Sequence, residues 1–157
     1  MMISELLEER AEKPGMFVGA HISEDSIKSL QDWTHRHGID KPTPADDMHV
    51  TVLYSKDKQF DWESAEHNVE IDPSTYKLEL FGEENNVLVL SFECPELNKR
   101  HEHGMDAHDL SWDFDSYTPH VTLSYEACDL SLTELPTPDV KLVVTNEYTE
   151  TFDKDWA

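Results

Sequence analysis

The sequence predicts an α+β domain of two pseudo-symmetric lobes, with antiparallel sheets flanked by helices around a central cleft. Three observations carry that expectation. A strand-like segment bearing histidine and threonine occurs twice, at His49-Val50-Thr51-Val52-Leu53-Tyr54 and at His120-Val121-Thr122-Leu123-Ser124-Tyr125. The elements around the copies follow a matched order: strand, helix, motif strand, then hairpin strand, helix, motif strand. Alternating apolar and polar residues in the strand segments favour half-buried antiparallel pairing. A chain of 157 residues can bury a core without crosslinks. No linker or low-complexity segment divides it, so residues 1–157 read as one domain.

Taken in order, Ile3 to Glu12 reads as a short acidic helix stopped by Pro14-Gly15. Met16 to His21 is a mostly apolar strand. Ser23 caps a helix to about His37, with Ile27, Leu30 and Trp33 on one face and Gly38 as its stop. Pro42-Thr43-Pro44 stiffens the loop before the first motif strand, Met48 to Tyr54. Tyr76 to Phe81 and Val87 to Phe92 alternate as the arms of a hairpin around Gly82–Asn86. Pro95 opens a helix to about Leu110, with Gly104 as a weak spot inside it. The second motif strand follows, and Val140 to Thr151 closes the fold.

Composition narrows the partners. The net charge is −22, and a surface this acidic repels long nucleic acid, whose affinity depends on phosphate neutralisation. A small phosphate-bearing ligand is compatible, because screening confines the repulsion to about 8–10 Å. Cys94 and Cys128 form no metal-ligand pattern and suit reduced thiols in a cytoplasm. No apolar run reaches membrane-span length, and no basic-then-apolar leader opens the chain. The expectation is a cytoplasmic protein, monomeric or weakly oligomeric.

On a strand, residues i and i+2 share a face. His49 therefore projects with Thr51, and His120 with Thr122. Strands lying side by side would bring two imidazoles and two hydroxyls to one pocket. One imidazole can take a proton and the other give one near neutrality. The threonines can donate hydrogen bonds to phosphate oxygens as charge builds there. That is equipment for phosphoryl transfer without a metal. By contrast, His21-Ile22-Ser23 is read as an accident, with Ser23 better explained as a helix cap.

A metal reading draws on His35, His37, His101, His103 and His108. The two His-x-His pairs fall in predicted helices, where i and i+2 diverge, and no third ligand has a fitting spacing. They are read as solvated helix histidines. Asp113 and Asp115 lack the other ligands of a calcium loop. No metal or other cofactor is expected.

The duplicated motif resembles the two-histidine phosphoesterase superfamily. Within it, the stretches Pro44-Ala45-Asp46, Met48 to Ser55 and Tyr117 to Tyr125 are most similar to the phage anti-CBASS phosphodiesterases, which degrade cyclic di- and trinucleotide immune signals. The resemblance implies cleavage of a 3′–5′ linkage by the 2′-hydroxyl, giving a linear product with a 3′-phosphate. It gives His49, Thr51, His120 and Thr122 the catalytic roles. It also implies aromatic contacts to bases, for which Phe17 and Phe81 are candidates, and a C-terminal glutamate at the pocket, Glu147 first and Glu150 second. Tyr54 and Tyr125 stand at odd offsets from their histidines and are expected to face the core.

Three other readings compete. A 2′,3′-cyclic phosphodiesterase of RNA repair or nucleotide salvage would use the same motif. A sponge that holds a cyclic nucleotide uncut would not need both His/Thr pairs. An acidic DNA mimic would leave the duplication unexplained.

Overall fold

The computed structural model describes residues 15–55, 59–82, 86–108, 117–127 and 131–152. Among these residues, seven strands and two α-helices appear in the order β1 (Gly15–Ile22), α1 (Glu24–Arg36), β2 (Val50–Ser55), β3 (Val69–Glu70), β4 (Lys77–Phe81), β5 (Val87–Ser91), α2 (Pro95–His108), β6 (His120–Ser124) and β7 (Val143–Phe152). The strands form one antiparallel sheet ordered β3-β7-β1-β2-β6-β5-β4. The predicted elements that fall among the described residues are present within a few residues of their expected ends. The short β3 had no periodicity to announce it. The predicted helix at Ile3 to Glu12, the Asp113 and Asp115 loop and Cys128 lie outside the described residues.

The two lobes meet at the centre of the sheet. β3, β7, β1 and β2 belong to one and β6, β5 and β4 to the other, and the motif strands β2 and β6 are neighbours. Their register is the single pair Val50–Val121. Both motif strands carry an irregularity at the same offset. Opposite β1, the register jumps from Thr51 to Leu53; opposite β5, it jumps from Thr122 to Ser124. The extra residue, Val52 or Leu123, stands three places after each histidine, so the duplication extends to the bulges. A bulge resets the alternation of faces.

One face of the sheet is apolar and covered by the helices. Val18, Ala20, Val50, Val52, Val121, Leu123, Leu88 and Leu90 are fully buried there, packed with Leu30 of α1 and Leu97 of α2. Each of these valines and leucines contributes about 2 kcal/mol by leaving water. Ser23 caps α1, its Oγ accepting from the Ser26 amide at 3.1 Å. Ser26 then ties the helix start to the run into β7, donating to the Lys141 carbonyl and accepting from the Val143 amide, both at 2.9 Å. Gly38 follows α1 at φ +61°, the left-handed conformation that glycine adopts without strain.

Gly104 is a packing position rather than a weak spot. A Cβ there would lie 2.3 Å from Leu53 Cδ2 and 2.9 Å from the Trp62 ring. His101 is also not a solvated helix histidine. It is buried, and its Nδ1 lies 2.7 Å from the Val52 carbonyl, to which it donates. The ring of Tyr117 stacks on it at 4.3 Å, and the Tyr117 hydroxyl donates to the Thr51 carbonyl at 2.7 Å. These bonds hold β2 just where it carries the motif.

Candidate active site

The Val50–Val121 pair sets the site. Both valines point into the core, so the residues flanking them point the other way. Stepping one residue either side in antiparallel register puts His49 beside Thr122 and Thr51 beside His120. Directly opposed side chains have Cβ atoms about 4.5–5.5 Å apart. Two imidazoles and two hydroxyls thus share the open face in a two-fold arrangement, each histidine next to the other strand's threonine.

The imidazoles are oriented alike. His49 Nδ1 lies 2.8 Å from the Asp47 carbonyl, and His120 Nδ1 lies 2.9 Å from the Thr118 carbonyl. A carbonyl oxygen only accepts, so each Nδ1 carries the hydrogen. In the neutral form each Nε2 is then the basic nitrogen. Burial, reinforced by His49, moves the His120 pKa below the usual imidazole value; the Thr118 bond and Glu79 oppose this without reversing it.

Each histidine also has a phenylalanine beside it. Phe17 of β1 lies 5.6 Å from the His49 ring, and Phe81 of β4 lies edge-on to His120 at 5.2 Å. Both therefore border the face that carries the motifs. Tyr54 does so too, which corrects the expectation of a core position: the bulge after Thr51 resets the alternation and pairs Tyr54 with Phe17. Tyr125 is 51% exposed and is not a core residue either.

Glu147 is elsewhere. It pairs with Ala20 on the helix face of the sheet and is 5% exposed. Its carboxylate accepts from Trp62 Nε1, the Ala65 amide, His67 Nε2 and two nitrogens of Arg100, at 2.8–3.0 Å. Burial alone would push its pKa up, but the bonds from Arg100, Ala65, His67 and Trp62 outweigh it and hold it down at about 2. The expectation that Glu147 borders the pocket is overturned, because the register puts its side chain on the opposite side of β7. The second choice, Glu150, pairs with Phe17 and is exposed. A cavity of about 770 Å³ opens beside the Glu147 cluster, lined by Trp62, Arg100, His103 and His108 among others, and includes none of the motif residues.

One residue of the open face went unread in the sequence. Tyr148 pairs with Gly19, which pairs in turn with Thr51. Its ring stacks on His21 at 4.2 Å and stands edge-on to Phe17 at 5.7 Å and His49 at 6.5 Å. The available signal was Gly19 itself, since a glycine inside an apolar strand marks a close approach. Among the described residues, no group of three or more His, Cys, Asp or Glu side chains is arranged to hold a metal ion, and no helix is long and apolar enough to cross a membrane.

Comparison with known proteins points one way. A family model described as Anti-CBASS protein Acb1 matches residues 14–157. A relative of that name from Vibrio phage KVP40 is 31% identical over 157 residues, covering 100% of this chain and 97% of the relative. Another from Sphingomonas paeninsulae is 37% identical over 113 residues, covering 66% of this chain. The chain spans only 18% of that bacterial relative's length. Among solved structures, Escherichia coli LigT, crystallised with 3′-AMP, superposes with a TM-score of 0.60 at 14% identity, covering 88% of each chain. The likeness agrees with the predicted fold class.

Proposed function

The chain belongs to the anti-CBASS protein Acb1 family, and from that membership and its paired motifs we propose that it is a phosphodiesterase that opens cyclic di- and trinucleotide immune signals. The observation that carries the reading is the Val50–Val121 pair, around which two histidines and two threonines gather on one face. In the proposed reaction, a neutral imidazole takes the proton of a ribose 2′-hydroxyl as its oxygen attacks the adjacent phosphorus. The bond to the 5′-oxygen breaks, and the second, protonated imidazole supplies that oxygen's proton. Thr51 and Thr122 donate to the non-bridging oxygens, where negative charge concentrates. With the roles exchanged, the same pair adds water to the 2′,3′-cyclic phosphate and leaves a 3′-phosphate. No metal is assigned a step.

His120 is the better candidate for the base. Its lowered pKa favours the neutral form, and its Nε2 is the nitrogen free to accept. His49 then serves as the acid. Phe17 and Phe81, each beside one histidine, suit contacts to the bases on either side of the scissile phosphate. The ligand class fits a chain of net charge −22 that repels long nucleic acid but admits a compact anion. The infected cell's cytoplasm, where such signals are made, is the proposed place of action.

The test is incubation with a panel of cyclic oligonucleotides in EDTA, followed by product masses. Linear products with a terminal phosphate are expected. A protein that binds these compounds and leaves them intact is a sponge. One that opens only 2′,3′-cyclic mononucleotides belongs to the salvage reading.

A further inference from the structure

Tyr148 reaches beyond its own strand towards the motif residues. It starts on β7, two strands from the motif strand β2, and its ring lies across β1 instead of standing upright. That is possible because the residue beneath it is Gly19. A Cβ on Gly19 would lie 2.7 Å from Tyr148 Cζ, 2.8 Å from Oη and 2.9 Å from Cε1. The space of the missing side chain is filled by the far end of the phenol ring.

The direction of that reach matters. Tyr148, Gly19 and Thr51 form one row across β7, β1 and β2. With Oη over Gly19, the hydroxyl is about one side-chain spacing, some 5 Å, from the Cβ of Thr51. It lies on the face that carries both histidines. Tyr148 is half-buried, and its hydroxyl makes no hydrogen bond to any described residue. Its oxygen is not shut away from solvent, so it stands open to a ligand on that face, able both to donate and to accept. Its ring, by contrast, is fixed by His21, Phe17 and His49.

We propose that Tyr148 is a phosphate-contacting residue, its hydroxyl donating to a non-bridging oxygen of the scissile phosphate beside Thr51, and that Gly19 is the positioning residue that lets it reach. Burial, with Glu150, Tyr125 and Asp47 nearby, raises the phenol's pKa to about 12, so it stays a donor throughout the working range of the histidines. The lobes differ here, because this third donor serves only the His49 side. The phosphate therefore has one preferred seating, although the four motif residues are arranged symmetrically. The inference takes its substrate from the phosphodiesterase reading and its geometry from the sheet alone.

The test is Tyr148→Phe, which keeps the ring stack and removes the donor. For two cyclic dinucleotides of different base composition, kcat/KM is expected to fall about 10–150-fold, the range for one hydrogen bond to a charged oxygen. The ratio between the two substrates should not change, since the contact ignores the bases. Gly19→Ala should give the same loss by pushing the ring aside, and the double variant should be no worse than either single one. Full activity in Tyr148→Phe overturns the proposal, as does a loss that alters the base preference. A second readout is independent of turnover: calorimetric titration with adenosine 3′-monophosphate and with adenosine. Tyr148→Phe should weaken the monophosphate and leave adenosine unaffected. If the wild type cleaves no cyclic oligonucleotide, the function reading fails and this titration alone decides the role of Tyr148. Equal affinities in wild type and variant, or no monophosphate binding by either, overturn it.

Discussion

Arg100 grips Glu147 with two prongs, Nε to Oε2 at 2.9 Å and Nη2 to Oε1 at 2.8 Å. The same guanidinium lies 4.5 Å over the Trp62 ring and donates to the Glu63 carbonyl. The 59–68 stretch, α2 and β7 are thereby joined through one buried carboxylate. Its pKa falls from 4.5 to about 2 on folding. A depressed carboxyl stabilises the fold fully above the unfolded value and loses that contribution as pH drops from about 4.5 towards 2. The shift corresponds to about 3 kcal/mol. Glu147→Gln should lose about that much in urea unfolding at pH 7 and should flatten the acid side of the stability curve. Turnover per folded molecule should be retained, because the side chain faces away from the cleft. A variant as stable as the wild type would show that the cluster is decorative.

Gly104 makes a second stability prediction, of a different origin. A methyl group there would overlap Leu53 Cδ2 and the Trp62 ring, and Leu53 follows the bulge of the first motif strand. Helix propensity alone would make Gly104→Ala stabilising by about 1 kcal/mol. Overpacking costs about 1–3 kcal/mol and should win. A lower thermal midpoint is expected, and a raised one would mean that the neighbours yield easily.

These two residues mark where the sequence stopped being legible. The strand and helix segments were readable from alternation, the Ser23 cap and the glycine stops, and the four motif residues from duplication. What failed depended on register. Glu147 and Glu150 are separated by an odd number of residues, so which one faces the cleft rests on pairing with β1, which periodicity does not encode. Tyr54 was assigned to the core by counting from His49, and the bulge at Val52 breaks that count. His101 looked like a surface histidine until β2 was seen to offer it a carbonyl. Gly19 stands inside Met16 to His21, a strand marked in the sequence only by being mostly apolar. Its meaning appears only once Tyr148 is laid across it.

The motif itself makes a sharper demand. Acid and base roles are divided between the histidines, so His49→Ala and His120→Ala should each abolish turnover, with thermal midpoints near the wild type. Each threonine supplies one bond to a charged oxygen, and its removal should cost roughly 1.5–3 kcal/mol. Thr51→Ala and Thr122→Ala should therefore slow turnover about 10–150-fold. Near-normal rates in either histidine variant would end the paired mechanism.

Activity should survive EDTA and show a bell-shaped dependence on pH, because one neutral and one protonated imidazole are needed together. With His120 as the base, the acid limb should lie below pH 6.5, in the direction that burial and His49 move it. Phe81 packs against that ring. Phe81→Ala admits water, so the acid limb should shift upward, towards the ordinary imidazole value. An unmoved limb would assign the base role to His49. Activity lost in EDTA and restored by a divalent ion would replace this chemistry with a metal-dependent one.

The identity of the nucleophile separates the proposed reaction most cleanly from its rivals. If the 2′-hydroxyl attacks, water is not needed to open the ring, and the phosphate must stay on the 3′ side. A cyclic dinucleotide with 2′-deoxyribose at the cleaved position keeps its phosphates and bases, so it should still bind through the threonines and the aromatic rings. It offers no internal nucleophile, however, and neither imidazole can supply one. Cleavage at that position should stop altogether, where loss of a threonine only slows it. A hydrolase that activates water would cut the deoxy compound readily, and a sponge would cut neither compound. Product masses for the mixed substrate, ribose at one position and deoxyribose at the other, decide within a single reaction. One opened linkage, on the ribose side, is expected. Two linkages opened at comparable rates would sink the proposal, whatever the histidine variants showed.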